Sequence, residues 1–311
     1  MFDFLWFGWQ TAMSSSAPDN DDDGDEMPEP TAVADVGSRG KVYIADLPPD
    51  IEPARRLLQR YSGVPARDVD EHIQYISQRD KLWAIHPSVG IGHYRFLSMQ
   101  FTSDPRYKDA LNRLLIADSD VAFLDVGCCV GQVLRQLASE GADSSRLYGI
   151  DSESRFLSAG YELFRDRDTL QATLVAGDLL ASGQKGEGDD ASRLLNGKMT
   201  IIHAMSFFHL FSWQAQVRAA TRMINFLKPD DADVMIFGRH VGTTDPLGVE
   251  GRQGRQRYLH NAETWQDLWD QVGEVTGTRW RTEVEFIDEA GIDMGGADGT
   301  VRRMRFGVYK A

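Results

Sequence analysis

The sequence has little of what several protein classes require. Two cysteines in 311 residues cannot build a disulfide framework, and no other residues accompany them at zinc-ligand spacing. No apolar run reaches the roughly 20 residues that a membrane-spanning helix needs. Basic residues are in deficit, with 33 Lys and Arg against 47 Asp and Glu and a formal net charge of −14. Phosphate neutralisation needs clustered Lys and Arg, so a broad nucleic-acid-binding face is not expected. A secreted disulfide scaffold, a zinc finger, a channel and a DNA-binding module all fit poorly. What is present is a 42% hydrophobic fraction, enough to bury a sizeable core in one large domain or two small ones.

The first 40 residues stand apart. Nine acidic residues against Arg39 alone give this stretch most of the chain's negative charge. Ser14 to Pro30 is polar and proline-dotted, a composition that cannot offset its ordering entropy and predicts disorder. Met1 to Gln10 holds five aromatics but no basic leader and no long apolar core, so it does not read as a signal peptide. It reads as a dispensable tail, with docking to a membrane or partner as the alternative. Residues 41–118 read as a helical cap. Ile51, Ala54, Leu57, Leu58 and Tyr61 recur at helical spacing before Gly63, and Val69, Ile73, Ile76 and Ile85 suggest a second helix. Asp104 before Pro105 marks a third, with a capping carboxylate ahead of proline.

From residue 119 to 311 strand and helix alternate. Strands are expected at 121–126, 147–150, 172–176, 199–204 and 233–238, with helices at 131–139, 153–164, 213–227 and 262–275. A Gly- and Asp-rich loop spans 182–190. Such alternation implies parallel βαβ units with helices on both faces. The last two strands, 280–286 and 302–309, have only a turn around Gly295, Gly296 and Gly299 between them, which predicts an antiparallel hairpin at the sheet edge.

The first strand runs into Asp125-Val-Gly127-Cys-Cys-Val-Gly131. A strand, a glycine turn and a helix start bring backbone close to a ligand. The second strand ends twenty residues later in Asp151, a carboxylate suited to the two hydroxyls of a ribose. The third is followed by Asp178. All lie at carboxyl ends of adjacent parallel strands, where open α/β sheets bind ligands. The alternative for Asp151 and Asp178 is plain helix capping. A dinucleotide site would show G-x-G-x-x-G for pyrophosphate, whereas D-x-G-x-C-x-G places a carboxylate ahead of the turn and suits a cationic ligand. That favours S-adenosylmethionine over a hydride-transfer cofactor. The side chain of Cys129 in this turn predicts φ below zero. Both cysteines read as reduced, small and buried.

The segment FLDVGCCVGQ (123–132) resembles motif I of class I methyltransferases. With Tyr94 to Phe96, ELFRDRDTL (162–170), SFFHLFSWQAQV (206–217), LKPD (227–230), GRHVG (238–242), RYLHN (257–261) and VGEVTGTRW (272–280), the chain resembles the fungal meroterpenoid carboxyl methyltransferases over roughly 80–285. The resemblance implies a Rossmann-like seven-stranded sheet of order 3-2-1-4-5-7-6, a homodimer, and methyl transfer from S-adenosylmethionine to a carboxylate of a hydrophobic terpenoid or polyketide acid. It also implies a cofactor site formed by Tyr94, Leu124, Asp125, Gly127, Cys128, Asp151, Ser152, Asp178, Leu179 and Ala204. Neither a metal nor nucleic acid nor a membrane span is expected, and a cytoplasmic location is.

A carboxylate nucleophile, ionised at neutral pH, needs no general base, whereas a phenol would want one. His209 and Arg239 are the candidates near the acceptor. His209 would orient it or act as base, or simply pack. Arg239 would pair with a substrate carboxylate, or with an acidic residue of the chain. His203 reads as core. Phe207 and Trp213 suit either a terpenoid wall or ordinary packing. Methylation of a phenolic acceptor and a non-catalytic binding protein are the competing functions.

Overall fold

The computed structural model describes residues 43–44, 46–77, 81–181, 189–246, 248–250, 256–287 and 300–311. The tail at 1–40, the loop at 182–188 and the turn around Gly295, Gly296 and Gly299 lie outside the described residues.

The chain begins with helices. α1 (Glu52–Arg60) has a proline in its first turn and buries Ala54, Leu57 and Leu58. The expected second helix is two pieces, α2 (Val69–Ser77) and a single turn, α3 (Leu82–Ile85). α4 (Val89–Gly92) is another single turn, capped by the Ser88 hydroxyl. In α5 (Pro105–Leu114), Asp104 accepts the amide of Arg106 at 2.9 Å, the cap that Asp-Pro predicts.

The alternating region follows: β1 (Phe123–Val126), α6 (Gln132–Ser139), β2 (Leu147–Asp151), α7 (Ser154–Phe164), β3 (Thr173–Ala176), α8 (Asp190–Leu195), β4 (Ile201–Met205), α9 (Trp213–Phe226) and β5 (Met235–Thr243). A three-residue ribbon, β6 (Gly248–Glu250) against β7 (Gln256–Tyr258), precedes α10 (Ala262–Thr276), β8 (Trp280–Ile287) and β9 (Val301–Lys310). α8 and the ribbon were not expected. Both are too short to show a period, and α8 starts inside what reads as a Gly/Asp loop, capped by Asp189. β5 runs five residues past its expected end because β9 pairs with it from Met235↔Tyr309 to Thr243↔Val301.

The sheet order is β3-β2-β1-β4-β5-β9-β8, which is 3-2-1-4-5-7-6 when the sheet's own strands alone are counted. Strands β1 to β5 are mutually parallel and β9 is antiparallel to both β5 and β8. β8 closes the edge, and its burial alternates along its length, as a strand with one wet face requires. One face of the sheet, with Phe123, Ile201 and Phe237, packs against α6, α7 and the N-terminal helices. The other, with Leu124, Ile202 and Phe306, packs against α8, α9 and α10, where Trp265 and Trp269 are fully buried. Burial on both faces is why β1 and β4 read as continuous apolar runs rather than alternations. Among the described residues no helix is long and apolar enough to cross a membrane.

Candidate functional site

The turn after β1 is a tight knot of backbone. The amides of Gly127 and Cys128 both donate to Ile150 O, at 2.9 and 3.1 Å, joining the turn to β2. The Cys129 amide donates to Asp151 Oδ2 at 2.8 Å, and the Gly131 amide to Cys128 O at 2.7 Å. Cys129 does not keep φ below zero. It sits at φ +50°, between Gly127 at +66° and Gly131 at +67°. A left-handed conformation costs a residue with a Cβ about 1–2 kcal/mol, and the flanking hydrogen bonds hold it there. Tyr94 (φ +54°) and Ser206 (φ +56°) are likewise left-handed. Strain of this kind collects where a site needs a particular backbone direction. α7 closes on the turn from behind, since a Cβ on Gly160 would stand 2.5 Å from Val130 O. In front, a Cβ on Gly127 would stand 3.3 Å from the Phe207 ring, so this aromatic lies over the turn.

Asp151, at the end of β2, is partly exposed. Its Oδ1 accepts the Glu153 amide at 3.0 Å and its Oδ2 the Cys129 amide, one bond per oxygen. A carboxylate has about four lone-pair directions, so two acceptor positions remain. That matches a vicinal diol, and exposed Gly127 places no side chain in front of the turn. These residues fit an adenosyl cofactor. Capping of α7 belongs to Glu153 instead, which accepts the Arg155 amide. Asp178 accepts the Leu180 amide at 2.8 Å and stays partly exposed, and Ser152 is exposed. Leu124, Cys128, Leu179 and Ala204 are buried in core contacts, so backbone is what they can present. Burial pushes the thiols of both cysteines up. The Tyr94 ring is buried against Phe96. Asp125 is only 3% exposed, and its Oδ1 lies 2.7 Å from Nδ1 of His203, a residue the sequence marked only as core.

At the carboxyl ends of β4 and β5 the sequence put His209 and Arg239 together, and strand alternation divides Arg239 from its neighbour His240. Arg239, 8% exposed, points toward the N-terminal helices and donates to Gln100 Oε1 at 2.5 Å and Ser98 Oγ at 3.4 Å. His240 points the other way, its ring centroid 4.9 Å from that of Trp265 and 5.0 Å from that of Phe306. Neither of its nitrogens has a hydrogen-bond partner, and neither does the buried Nδ1 of His209. Burial first, and then the charges of Arg303 and Arg257, push the His209 imidazole down to about 3. The two arginines are site features that sequence reasoning missed, because they come from β9 and the short ribbon. His260 is clamped between Gln216 Oε1 (3.0 Å) and Thr264 Oγ1 (3.2 Å) beside Trp213, which stacks edge-on with Tyr258. Trp213 is therefore part of a wall formed with the ribbon.

A sheet of this order, with a strained glycine turn after the first strand and a free-faced carboxylate after the second, defines a class I S-adenosylmethionine-dependent methyltransferase. Comparison with known proteins narrows the class. The family model of a meroterpenoid methyltransferase N-terminal domain matches residues 42–97, and that of a methyltransferase domain matches residues 123–230. The O-methyltransferase phiE from a fungus (Fungal sp.) is 41% identical over 241 residues, spanning 77% of this chain and 77% of that protein. The O-methyltransferase atr3 of Stereocaulon alpinum is 33% identical over 289 residues, 91% of this chain and 80% of that one. The asnovolin E/chermesin D methyltransferase nvfJ of Aspergillus novofumigatus is 36% identical over 233 residues, 75% and 80% of the two chains. The chain belongs to the fungal meroterpenoid methyltransferase family.

Proposed function

We propose that the protein methylates a carboxyl group of a hydrophobic terpenoid or terpenoid-polyketide acid, giving a methyl ester. S-adenosylmethionine, when bound, supplies a methyl carbon already activated by its sulfonium. What the chain must add is alignment and exclusion of water, and positioning of this kind can supply about 7–11 kcal/mol. Asp151 holds the ribose hydroxyls, Asp125 faces the amino-acid end, and Asp178 with Leu179 borders the adenine. Gly127 and Cys128 give the close backbone approach, and Tyr94, Leu124, Ser152 and Ala204 complete the cofactor site. His209 positions the acceptor carboxylate, whereas Arg239, turned to the other face of the sheet and bonded to Gln100 and Ser98, holds the N-terminal cap against β5.

What favours the carboxylate over a phenol is the setting of His209, whose Nδ1 is buried without a hydrogen-bond partner and whose imidazole is held low by burial first and then by the charges of Arg303 and Arg257. A general base works best with a pKa near the working pH, and an imidazole pushed down to about 3 is a poor one. The same positive surroundings favour an anionic acceptor that needs no base. Residues 41–118 serve as a cap over the methyltransferase domain (119–311), and the enzyme acts as a cytoplasmic homodimer without nucleic-acid partners, as its family resemblance implies.

The test is incubation of the full chain with cofactor and paired terpenoid acids and phenols, read by mass spectrometry. The expected products are methyl esters, formed at a rate that stays flat from about pH 8 to about pH 6. Methylation of the phenols alone, with a rate that falls as the pH drops through 7, would overturn the carboxylate reading.

A further inference from the structure

The carboxylate ahead of the glycine turn is not free to turn. Asp125 and His203 are register partners on the neighbouring parallel strands β1 and β4. Both side chains are buried, and Asp125 Oδ1 lies 2.7 Å from His203 Nδ1. A carboxylate only accepts, so that nitrogen carries the proton and donates. The imidazole is itself packed on several sides. Its centroid is 6.2 Å from Phe123 in a stacked arrangement, 5.0 Å from Phe237 and 6.1 Å from Phe101. It also borders a small cavity, about 10 Å³, that reaches Gln100, Asp104, Arg239 and Arg305.

Stability alone is a weak reason for such a pair. Replacing a buried ionisable pair by apolar residues of similar volume is often neutral or stabilising. The strand residues that pack directly on it are apolar, Phe123 and Phe237, while Arg239 and Arg305 stand across the small cavity. What the pair does provide is direction. Asp125 stands two residues before Gly127, and one of its oxygens is fixed by the histidine while the other remains as an acceptor.

We propose that His203 is a positioning residue for methyl transfer: it locks the Asp125 carboxylate in the orientation in which its second oxygen meets the cationic end of the cofactor. The proposal rests on the reading of Asp125 as part of the cofactor site.

The experiment is calorimetric titration of the full chain with S-adenosylhomocysteine, together with cofactor KM, acceptor KM and kcat. The variants are Asp125→Asn, His203→Phe, His203→Asn and the double variant D125N/H203F. Phenylalanine keeps the aromatic packing and loses the donor, whereas the asparagine amide nitrogen stands where Nδ1 was. His203→Phe should weaken binding at least about tenfold, a change of about 1.4 kcal/mol. His203→Asn should recover most of that loss. The cofactor KM should rise with the acceptor KM unchanged, and the double variant should bind no more weakly than Asp125→Asn alone. If Asp125→Asn loses affinity while His203→Phe binds like the parent, His203 is structural and the proposal is overturned. If Asp125→Asn itself binds like the parent, the reading of Asp125 fails and the proposal with it. Should His203→Phe lose its cooperative melting transition, His203→Gln, whose amide reaches the Nε2 position instead, takes its place with the same expected loss.

Discussion

Arg135 and Asp166 meet through two parallel hydrogen bonds, Nε to Oδ2 at 2.8 Å and a second guanidinium nitrogen to Oδ1 at 3.0 Å, with both side chains buried. The third guanidinium nitrogen donates to Val130 O at 3.0 Å, inside the glycine turn. Tyr61, just past α1, donates to Asp166 Oδ2 at 2.9 Å. The pair therefore ties the underside of the cofactor turn to the N-terminal helices. Breaking one side of a buried pair leaves an uncompensated charge, which costs about 3–5 kcal/mol. Asp166→Ala should lose that much stability in urea denaturation. The double replacement Arg135→Met with Asp166→Leu should regain most of it. A small loss in Asp166→Ala with a large one in the double variant would show that the carbonyl contact of Arg135, not the pair, carries the energy.

Asp151 secures the turn and, in the proposed site, would also hold the ribose, so the two roles can be separated. Asp151→Asn keeps one carbonyl oxygen as an acceptor and loses the charge, whereas Asp151→Ala also leaves the Cys129 and Glu153 amides without their partner. Charge-assisted hydrogen bonds are worth about 1.5–3 kcal/mol each. Asp151→Asn, which turns an NH2 group toward one of the two amides, should thus weaken S-adenosylhomocysteine binding by about 10- to 100-fold in a calorimetric titration, with a smaller fall in melting temperature than Asp151→Ala. Asp151→Ala should lower both. A parental affinity in Asp151→Asn would remove the ribose assignment.

Cys129 offers a test of backbone strain. At φ +50° a glycine is unstrained, and a β-branched residue is an outlier. Cys129→Gly should change stability by less than about 1 kcal/mol, because relief of left-handed strain offsets the entropy glycine loses on folding. Cys129→Val should disturb the turn and lower cofactor affinity at least about tenfold, a change of about 1.4 kcal/mol. Titration and thermal melting of the two variants check both statements, and a Val variant that binds like the parent would show that the turn adapts.

Much of this was legible in the sequence because the signals are local or periodic. Buried parallel strands announce themselves as VAFLDV and MTIIHA, Asp104-Pro105 announces a helix start, and the spacing from Gly131 to Asp151 announces a strand end with a carboxylate on it. The rest depends on pairing across the sheet. His203 looks like any core histidine until β4 lies beside β1 and sets it opposite Asp125. Arg239 and His240 are adjacent in sequence, but pleating sends them to opposite faces, so one meets Gln100 and the other Trp265. Arg303 and Arg257 carry no motif at all. They reach His209 only because β9 returns along β5 and the ribbon folds back over α9. The left-handed Cys129 was missed for a related reason, since the bond that secures it comes from Asp151 on the next strand.

The buried histidines predict an acid-sensitive fold, and the sign follows from which state binds the proton. Burial drives the His260 imidazole down to about 3 and the His240 imidazole well below its ordinary value, so in the folded protein both stay neutral through mildly acidic pH. In the unfolded chain each takes up a proton near pH 6.5. Below that pH the unfolded state binds more protons than the folded one, so stability falls as pH falls. One unit below 6.5 the effect is about 1.4 kcal/mol for each histidine, about 3 kcal/mol for these two, and His209, also pushed down to about 3, adds a like amount. The urea midpoint should accordingly drop between about pH 7.5 and about pH 5.5. His240→Phe isolates one contribution. Its parent ring has both nitrogens unpaired among Phe208, Trp265 and Phe306, and an unsatisfied buried polar group costs about 1–3 kcal/mol. The phenylalanine variant should be at least as stable as the parent near neutral pH. Its advantage should grow by about 1.4 kcal/mol at the acidic end, where the parent alone still has that proton-linked penalty. An advantage of the same size at both pH values would mean that His240 is protonated alike in the folded and unfolded states, and the buried neutral imidazole would be wrong.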